Sequence, residues 1–251
     1  MSITDGELRL HGRIMPASNA TFVGEVEGIT VVYKPIRGER PLWDFPDGTL
    51  AHREVAAYLV SEALGWNLVP HTFLRDGPHG LGMVQRWQEP DETQAAVTVV
   101  PEGAVPPGYL HVFDGVDQHD EPISLVHENT PALRRMALFD TVVNNADRKG
   151  GHVLEMADGH RYGVDHGVTF HTDPKLRTVL WGWAGESLTD GEAGAVERLR
   201  AALLGELGGA LEDHVTAFEV EQTALRCARL LQRGRFPLPP GDWPSIPWPP
   251  F

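Results

Sequence analysis

Phe139-Asp140-Thr141-Val142-Val143-Asn144-Asn145-Ala146-Asp147-Arg148-Lys149-Gly150-Gly151-His152-Val153-Leu154, with Tyr162-Gly163-Val164-Asp165-His166-Gly167 close behind, decides how this chain is read. It gives an apolar helix, a polar loop built on Asp147-Arg148, a short strand, and a second Asp set against Gly167. Two carboxylates separated by a hairpin suit phosphoryl transfer. One orients or deprotonates an acceptor hydroxyl, and the other holds the metal that bridges nucleotide phosphates.

Working outward, Thr130-Pro131 opens the helix, with Pro at its first position and Leu133, Met136, Ala137, Asp140 and Val143 at helical spacing. Upstream, Thr21–Val26, a Glu27-Gly28 turn and Ile29–Lys34 read as a strand pair. Thr49 is placed to cap a helix from Leu50 to about Leu64, which Gly65 stops. Further strands are expected near His71–Leu74 and Gly80–Trp87. Lys34 closes its strand, and Glu54 lies in the next helix. A strand lysine is ordinarily a solvated edge residue and a helix glutamate an exposed one. Their order before the two Asp loops is what raises them above that reading.

From Glu89 to Thr130 the signal is weak, with acidic residues, Pro and Gly around short apolar pieces such as Val97–Val100. Two helices are expected over about 189–208 and 211–231. A Pro/Trp-rich tail follows, read as extended and docked by its aromatics, with a proline-rich partner ligand as the lesser option.

At 251 residues the chain is long enough for one large domain or two small lobes around a cleft. Its formal charge of -14 argues against nucleic acid and anionic bilayers as partners. One cysteine, Cys227, excludes an internal disulfide and reads as a small buried apolar residue. No run has the length of a membrane span, and the first residues lack the regions of a signal peptide, so a cytoplasmic location is expected.

Asp147-Arg148-Lys149-Gly150-Gly151-His152 together with Val164-Asp165-His166-Gly167 resembles the catalytic and metal loops of the phosphatidylinositol 3-/4-kinase-like superfamily. The chain also resembles an actinobacterial group within it. Ser18-Asn19-Ala20-Thr21-Phe22 is similar to its phosphate loop, and Val31-Val32-Tyr33-Lys34-Pro35 to its lysine strand. The resemblance runs over roughly residues 8 to 175. It implies an α+β, two-lobed, atypical protein-kinase-like fold. Residues 1–88 would form a sheet-rich N-lobe with one helix, 89–236 a mainly helical C-lobe, and 237–251 the tail.

Carried over residue by residue, the resemblance implies an ATP site with Mg²⁺, or Mn²⁺ as the softer choice. Ser18, Asn19 and Ala20 would cradle the phosphates. Lys34, steadied by Glu54, would bind the α- or β-phosphate, and the backbone around Gln85, Arg86 and Trp87 would read adenine. Asp147, Arg148 and Lys149 form the catalytic loop. Asp165 and His152 would hold metal.

Two departures stand out. Lys149 replaces the superfamily's His, and His152 replaces its metal-binding Asn. Imidazole is a poor ligand for Mg²⁺, so Asn144 or Asn145 is an alternative oxygen donor, and capping the helix end is an equal alternative for them. His152, His160, His166 and His171 read as surface histidines rather than a zinc site, and His111, His119 and His127 as unrelated to one another. Trp181-Gly182-Trp183 suits either an acceptor segment or core packing. The leading expectation is an ATP-dependent phosphotransferase acting on a protein or small-molecule hydroxyl. A nucleotide-binding module without turnover and a nucleotidyl transferase are the alternatives, with a metal-dependent hydrolase last.

Overall fold

Val31, Tyr33 and Pro35 are buried while Val32 and Lys34 lie on the opposite face of the same strand, as a period of two requires. The computed structural model describes residues 3–4, 6–15, 19–46, 48–241 and 244–251. In the N-terminal region five strands form one antiparallel sheet: β1 (Arg9–Arg13), β2 (Phe22–Val26), β3 (Ile29–Pro35), β4 (Thr72–Gly77) and β5 (Gly80–Arg86), in the order β1-β2-β3-β5-β4. The β3–β5 register pairs Val32 with Gln85 and Lys34 with Met83. Ile3, Leu8, Val26, Val31, Tyr33 and Val84 make a small core on one side. The β3 face carrying Val32 and Lys34 borders a cleft.

Helix α1 (Leu50–Leu64) ends at Gly65, whose φ of 68° is the left-handed conformation glycine adopts without a Cβ penalty. Its start differs from expectation. Thr49 makes no side-chain cap; its hydroxyl donates to the Pro46 carbonyl at 2.7 Å. Glu39 takes over, its carboxylate accepting from the amides of Leu50 at 3.1 Å and Ala51 at 2.8 Å. A carboxylate at a helix N-terminus satisfies free N–H groups and complements the helix dipole.

The stretch after β5, where the sequence signal was weak, is a sheet within the part expected to be mainly helical. It forms a three-stranded antiparallel sheet, β6 (Val97–Pro101), β7 (Tyr109–Val116) and β8 (Pro122–Glu128), ordered β6-β8-β7. Helix α2 (Pro131–Val143) follows, capped by the Thr130 hydroxyl, which accepts from Leu133 N at 3.3 Å. It ends on Asn144 at φ 54°. The hairpin β9 (Val153–Glu155) and β10 (Arg161–Gly163) separates the two Asp loops as expected.

The C-terminal part is helical, but in three pieces rather than two: α3 (Asp190–Leu203), α4 (Glu206–Glu212) and α5 (Ala217–Arg233). Thr189 with Glu192 and Thr216 with Glu219 form capping boxes that start α3 and α5. The larger core joins α1, α2, α3 and α5, with Val60, Leu133, Met136, Phe139, Trp183, Leu199 and Cys227 inside. Burial pushes the Cys227 thiol up to about 12, in keeping with an inert apolar role.

Trp181 and Trp183 are both buried, so this segment packs into the core. The tail is docked, though not by Trp248. Trp248 is 75% exposed, and Trp243 lies outside the described residues. The anchors are hydrogen bonds to Ser245 and Pro250 and the ring of Phe251. Among the described residues no helix is long and apolar enough to cross a membrane.

Candidate active site

Lys34 reaches its expected partner Glu54 and, beyond expectation, Asp165 as well. Its ammonium donates to Glu54 Oε1 at 2.7 Å and to Asp165 Oδ1 at 2.8 Å. Glu54 is held in turn by its other oxygen, which accepts from His166 N at 2.9 Å. Strand β3, helix α1 and the loop after β10 therefore meet at one cation. Burial works against the charge on Lys34, but Asp165 and Glu54 outweigh it and raise its pKa. Reciprocally, the Lys34 ammonium holds Asp165 well below the usual carboxylate range, against the effect of burial, and His152 adds to the pull. Asp165 itself sits at φ 62°. That left-handed backbone conformation is uncommon outside glycine and costs free energy that the surrounding bonds must offset.

The Asp147 loop leaves α2 through Asn144 and Asn145. Asn145 Oδ1 accepts from Asp147 N at 3.0 Å, which fixes the turn. Asp147 faces Lys149, whose ammonium is 3.5 Å from its Oδ2. Burial raises the Asp147 carboxyl above its ordinary value, while Lys149 and His152 pull it back. Neither asparagine supplies a metal oxygen. Asn145 is fully buried, and its amide donates to Asp140 at 2.9 Å. Asn144 is the helix cap, with its side chain bound to the carbonyls of His171 and Asp173 and to Lys175 N.

Arg148 is in the interior and does not line the cleft beside Asp147. Its guanidinium forks onto Asp140, Nε to Oδ2 and Nη2 to Oδ1, both at 2.9 Å. Nη1 donates to the carbonyls of His152 at 3.0 Å and Val164 at 3.2 Å. Nη2 also lies 2.6 Å from His166 Nε2, which must accept. His166 is thus a neutral imidazole, and burial, then the Arg148 charge, keeps its pKa well below the ordinary value. One buried arginine ties the end of α2, the Asp147 loop and the Asp165 loop together. A buried Asp in the apolar stripe of α2 was the sequence signal for this partner.

A cleft of about 650 Å³ runs between these groups. Lys34, Asp147, Lys149, His152 and Asp165 line its polar part, and Ile14, Val32, Leu154 and Val164 its apolar part. Gln85, Arg86 and Trp87 border it, but the amides of Arg86 and Trp87 donate to the carbonyls of His71 at 2.9 Å and Thr30 at 3.0 Å. The Gln85 side chain is buried and donates to Thr72 at 2.8 Å. Of the expected phosphate loop, Asn19 lines the cleft, whereas the Ala20 amide donates to Gly38 at 3.1 Å. Ser18 lies outside the described residues.

The donors fit a divalent cation only in part. His152 Nδ1 is 2.9 Å from the Asp147 carbonyl, which can only accept, so that nitrogen carries the proton. Burial lowers the His152 pKa, while the Asp165 charge works against that shift. The ring's other nitrogen lies 3.5 Å from Asp165 Oδ2. An imidazole nitrogen and a carboxylate oxygen facing each other are ligand types that could share a cation. Among the described residues, however, no group of three or more His, Cys, Asp or Glu is arranged to hold a metal alone. A cation here would complete its shell with ligand oxygens, as Mg²⁺ does on nucleotide phosphates.

The four histidines of this region are not a surface group. His166 is fully buried and His152 mostly so, while His160 bonds the Asn67 carbonyl at 2.8 Å. His127, too, is buried, its Nε2 accepting from Gly182 N at 2.9 Å.

No family model matches the sequence. The solved structure of the Helicobacter pylori proinflammatory kinase CtkA aligns over 90% of this chain and 96% of that one. Its TM-score of 0.40 and identity of 11% are too slight to carry an argument. Among curated proteins, "Protein Rv2133c" of Mycobacterium tuberculosis is 50% identical over 262 residues, 99% of this chain and 94% of that protein. The chain therefore belongs to the family of Rv2133c.

Proposed function

We propose that this protein is an ATP-dependent phosphotransferase with two lobes of phosphatidylinositol 3-/4-kinase-like architecture, acting on a hydroxyl of a protein or small molecule. One observation carries the reading: Lys34 joined to both Glu54 and Asp165 in a cleft that also presents Asp147. A strand lysine fixed by a helix glutamate is how kinase folds hold the cation that contacts nucleotide phosphates. The cleft volume falls within the range of small-molecule sites, and its division into apolar and charged parts matches a nucleoside joined to a polyphosphate.

Each residue then has a physical task. Lys34 neutralises phosphate charge, and Glu54 keeps its ammonium aimed. Asp147, anchored through its own N–H and C=O, orients the acceptor hydroxyl and takes its proton; its raised pKa makes it a better base than an ordinary Asp. Lys149 lies close enough to Asp147 to touch the phosphoryl group in transit. Asp165 and His152 would hold Mg²⁺ or Mn²⁺, which supplies neutralisation of charge on the transferring oxygens. The same site would serve AMP transfer or binding without turnover. An imidazole, His152, in the place of an oxygen ligand favours the second of these.

Lys34→Met tests the nucleotide assignment. The substitution keeps the apolar stem and removes only the charge. ATP affinity, measured by titration calorimetry with Mg²⁺ or Mn²⁺, is expected to fall at least about tenfold, the scale of losing one charge-assisted contact. Equal affinity in wild type and variant contradicts the placement of ATP in this cleft.

A further inference from the structure

The Pro/Trp-rich tail enters the cleft itself. Ser245 O accepts from Thr178 N at 3.0 Å and from Trp181 Nε1 at 2.8 Å, and Pro250 O accepts from Gly150 N at 2.8 Å. These bonds fasten the segment along the catalytic loop and bring Phe251 to the cleft wall. Gly150 is shaped for that ring. A Cβ on it would come within 2.5 Å of a ring carbon of Phe251 and 3.3 Å of Val97. The missing side chain at Gly150 is thus the seat of the aromatic ring.

Although seated on that side, Phe251 remains 49% exposed. It lines the same opening as Gly151, Leu154, Pro90 and Val32. An aromatic ring half open inside a cleft selects among ligand parts. The ring face carries the negative lobe of its quadrupole, so it repels phosphate and attracts a flat or apolar surface. The cations that suit phosphate, Lys34 and Lys149, are instead engaged with Asp165 and Asp147.

We propose that Phe251 is a nucleotide-contacting residue, its ring covering the nucleoside end of the ligand while Lys34 and Lys149 take the polyphosphate. This rests on the cleft being a nucleotide site. It adds that the chain completes that site with a segment far from both Asp loops in sequence.

The test compares ATP with inorganic tripolyphosphate, which carries the charge but no nucleoside, by calorimetric titration of the full chain. For Phe251→Ala, ATP affinity is expected to fall about tenfold, the scale of losing one aromatic stack, with tripolyphosphate affinity unchanged. Phe251→Trp is expected to keep ATP affinity. Phe251→Leu, which retains an apolar group over Gly150, gives the same comparison should the alanine variant not fold. Undiminished ATP binding in Phe251→Ala or Phe251→Leu overturns the proposal, as does parallel loss of both ligands, which would mark the ring as a prop for the loop. A wild-type protein that binds neither ligand overturns the nucleotide reading and this proposal together. Loss confined to one variant set leaves the nucleotide reading standing.

Discussion

Asp165→Asn is expected to lower phosphotransfer by about a thousandfold or more while leaving the protein folded, as removal of a charge that acts on the reacting phosphoryl group does. The substitution is nearly isosteric. Asp165 sits at φ 62°, a region Asn tolerates as well as Asp, so the backbone has no reason to move. Half of its side chain is open to the cleft, and Lys34 keeps Glu54 as a partner after the change. What disappears is the negative charge that would hold a cation opposite His152. ATP binding is therefore expected to change far less than turnover, because Lys34 is freed from one carboxylate. Initial rates of ADP formation check the first part, and a melting curve checks the fold. Wild-type turnover in the variant contradicts the role given to Asp165.

Arg148→Ala is expected to cost stability rather than chemistry, by about 3–5 kcal/mol, the usual penalty for stranding one partner of a buried ion pair. Asp140 and Arg148 are both fully buried, and their forked contact has two bonds of 2.9 Å. Without the guanidinium, Asp140 keeps only Asn145 as a side-chain donor, and the carbonyls of His152 and Val164 lose theirs. For a chain of this length the loss corresponds to a drop of roughly 6–20 °C in melting temperature. Arg148→Lys should rescue little, because a single ammonium cannot reproduce the planar fork. Denaturant titration of the two variants measures this directly. A change under about 1 kcal/mol would place Arg148 outside the framework.

The same arginine shows what could be read from the sequence and what could not. Asp147 and Asp165, the lysine strand and the helix glutamate were visible because each lies in a short local pattern. Strand alternation, Gly65 and Thr130-Pro131 placed their elements within a few residues. Arg148 was adjacent to Asp147 and so read as part of a catalytic loop, yet its direction is set by Asp140 at the end of the helix before it. Nothing local reveals that a side chain turns inward. The cap of α1 failed for the same reason: Glu39 reaches it from eleven residues away, across a loop.

The sheet over Val97–Glu128 was missed for another reason. β7 alternates between half-buried and exposed positions and includes His111, Asp114 and Gly115, so it shows almost no apolar period. β8 is held between β6 and β7 and buried along most of its length, including Ser124 and His127, which a hydrophobic count does not score. In the C-terminal part, Leu204-Gly205 interrupts a helical pattern that composition carried across the break. The seat of Phe251 on Gly150 joins positions about a hundred residues apart. Only the folded chain displays it.

Phosphorus NMR of ATP incubated with the protein and Mg²⁺ or Mn²⁺ tests the central claim most directly, because it reports which phosphate bond breaks. The account predicts conversion of ATP to ADP and inorganic phosphate, with water taking the γ-phosphoryl group where no other acceptor is present, and neither product from Asp165→Asn. Release of pyrophosphate with AMP, or ATP that binds and stays unchanged, would contradict γ-phosphoryl transfer at this site.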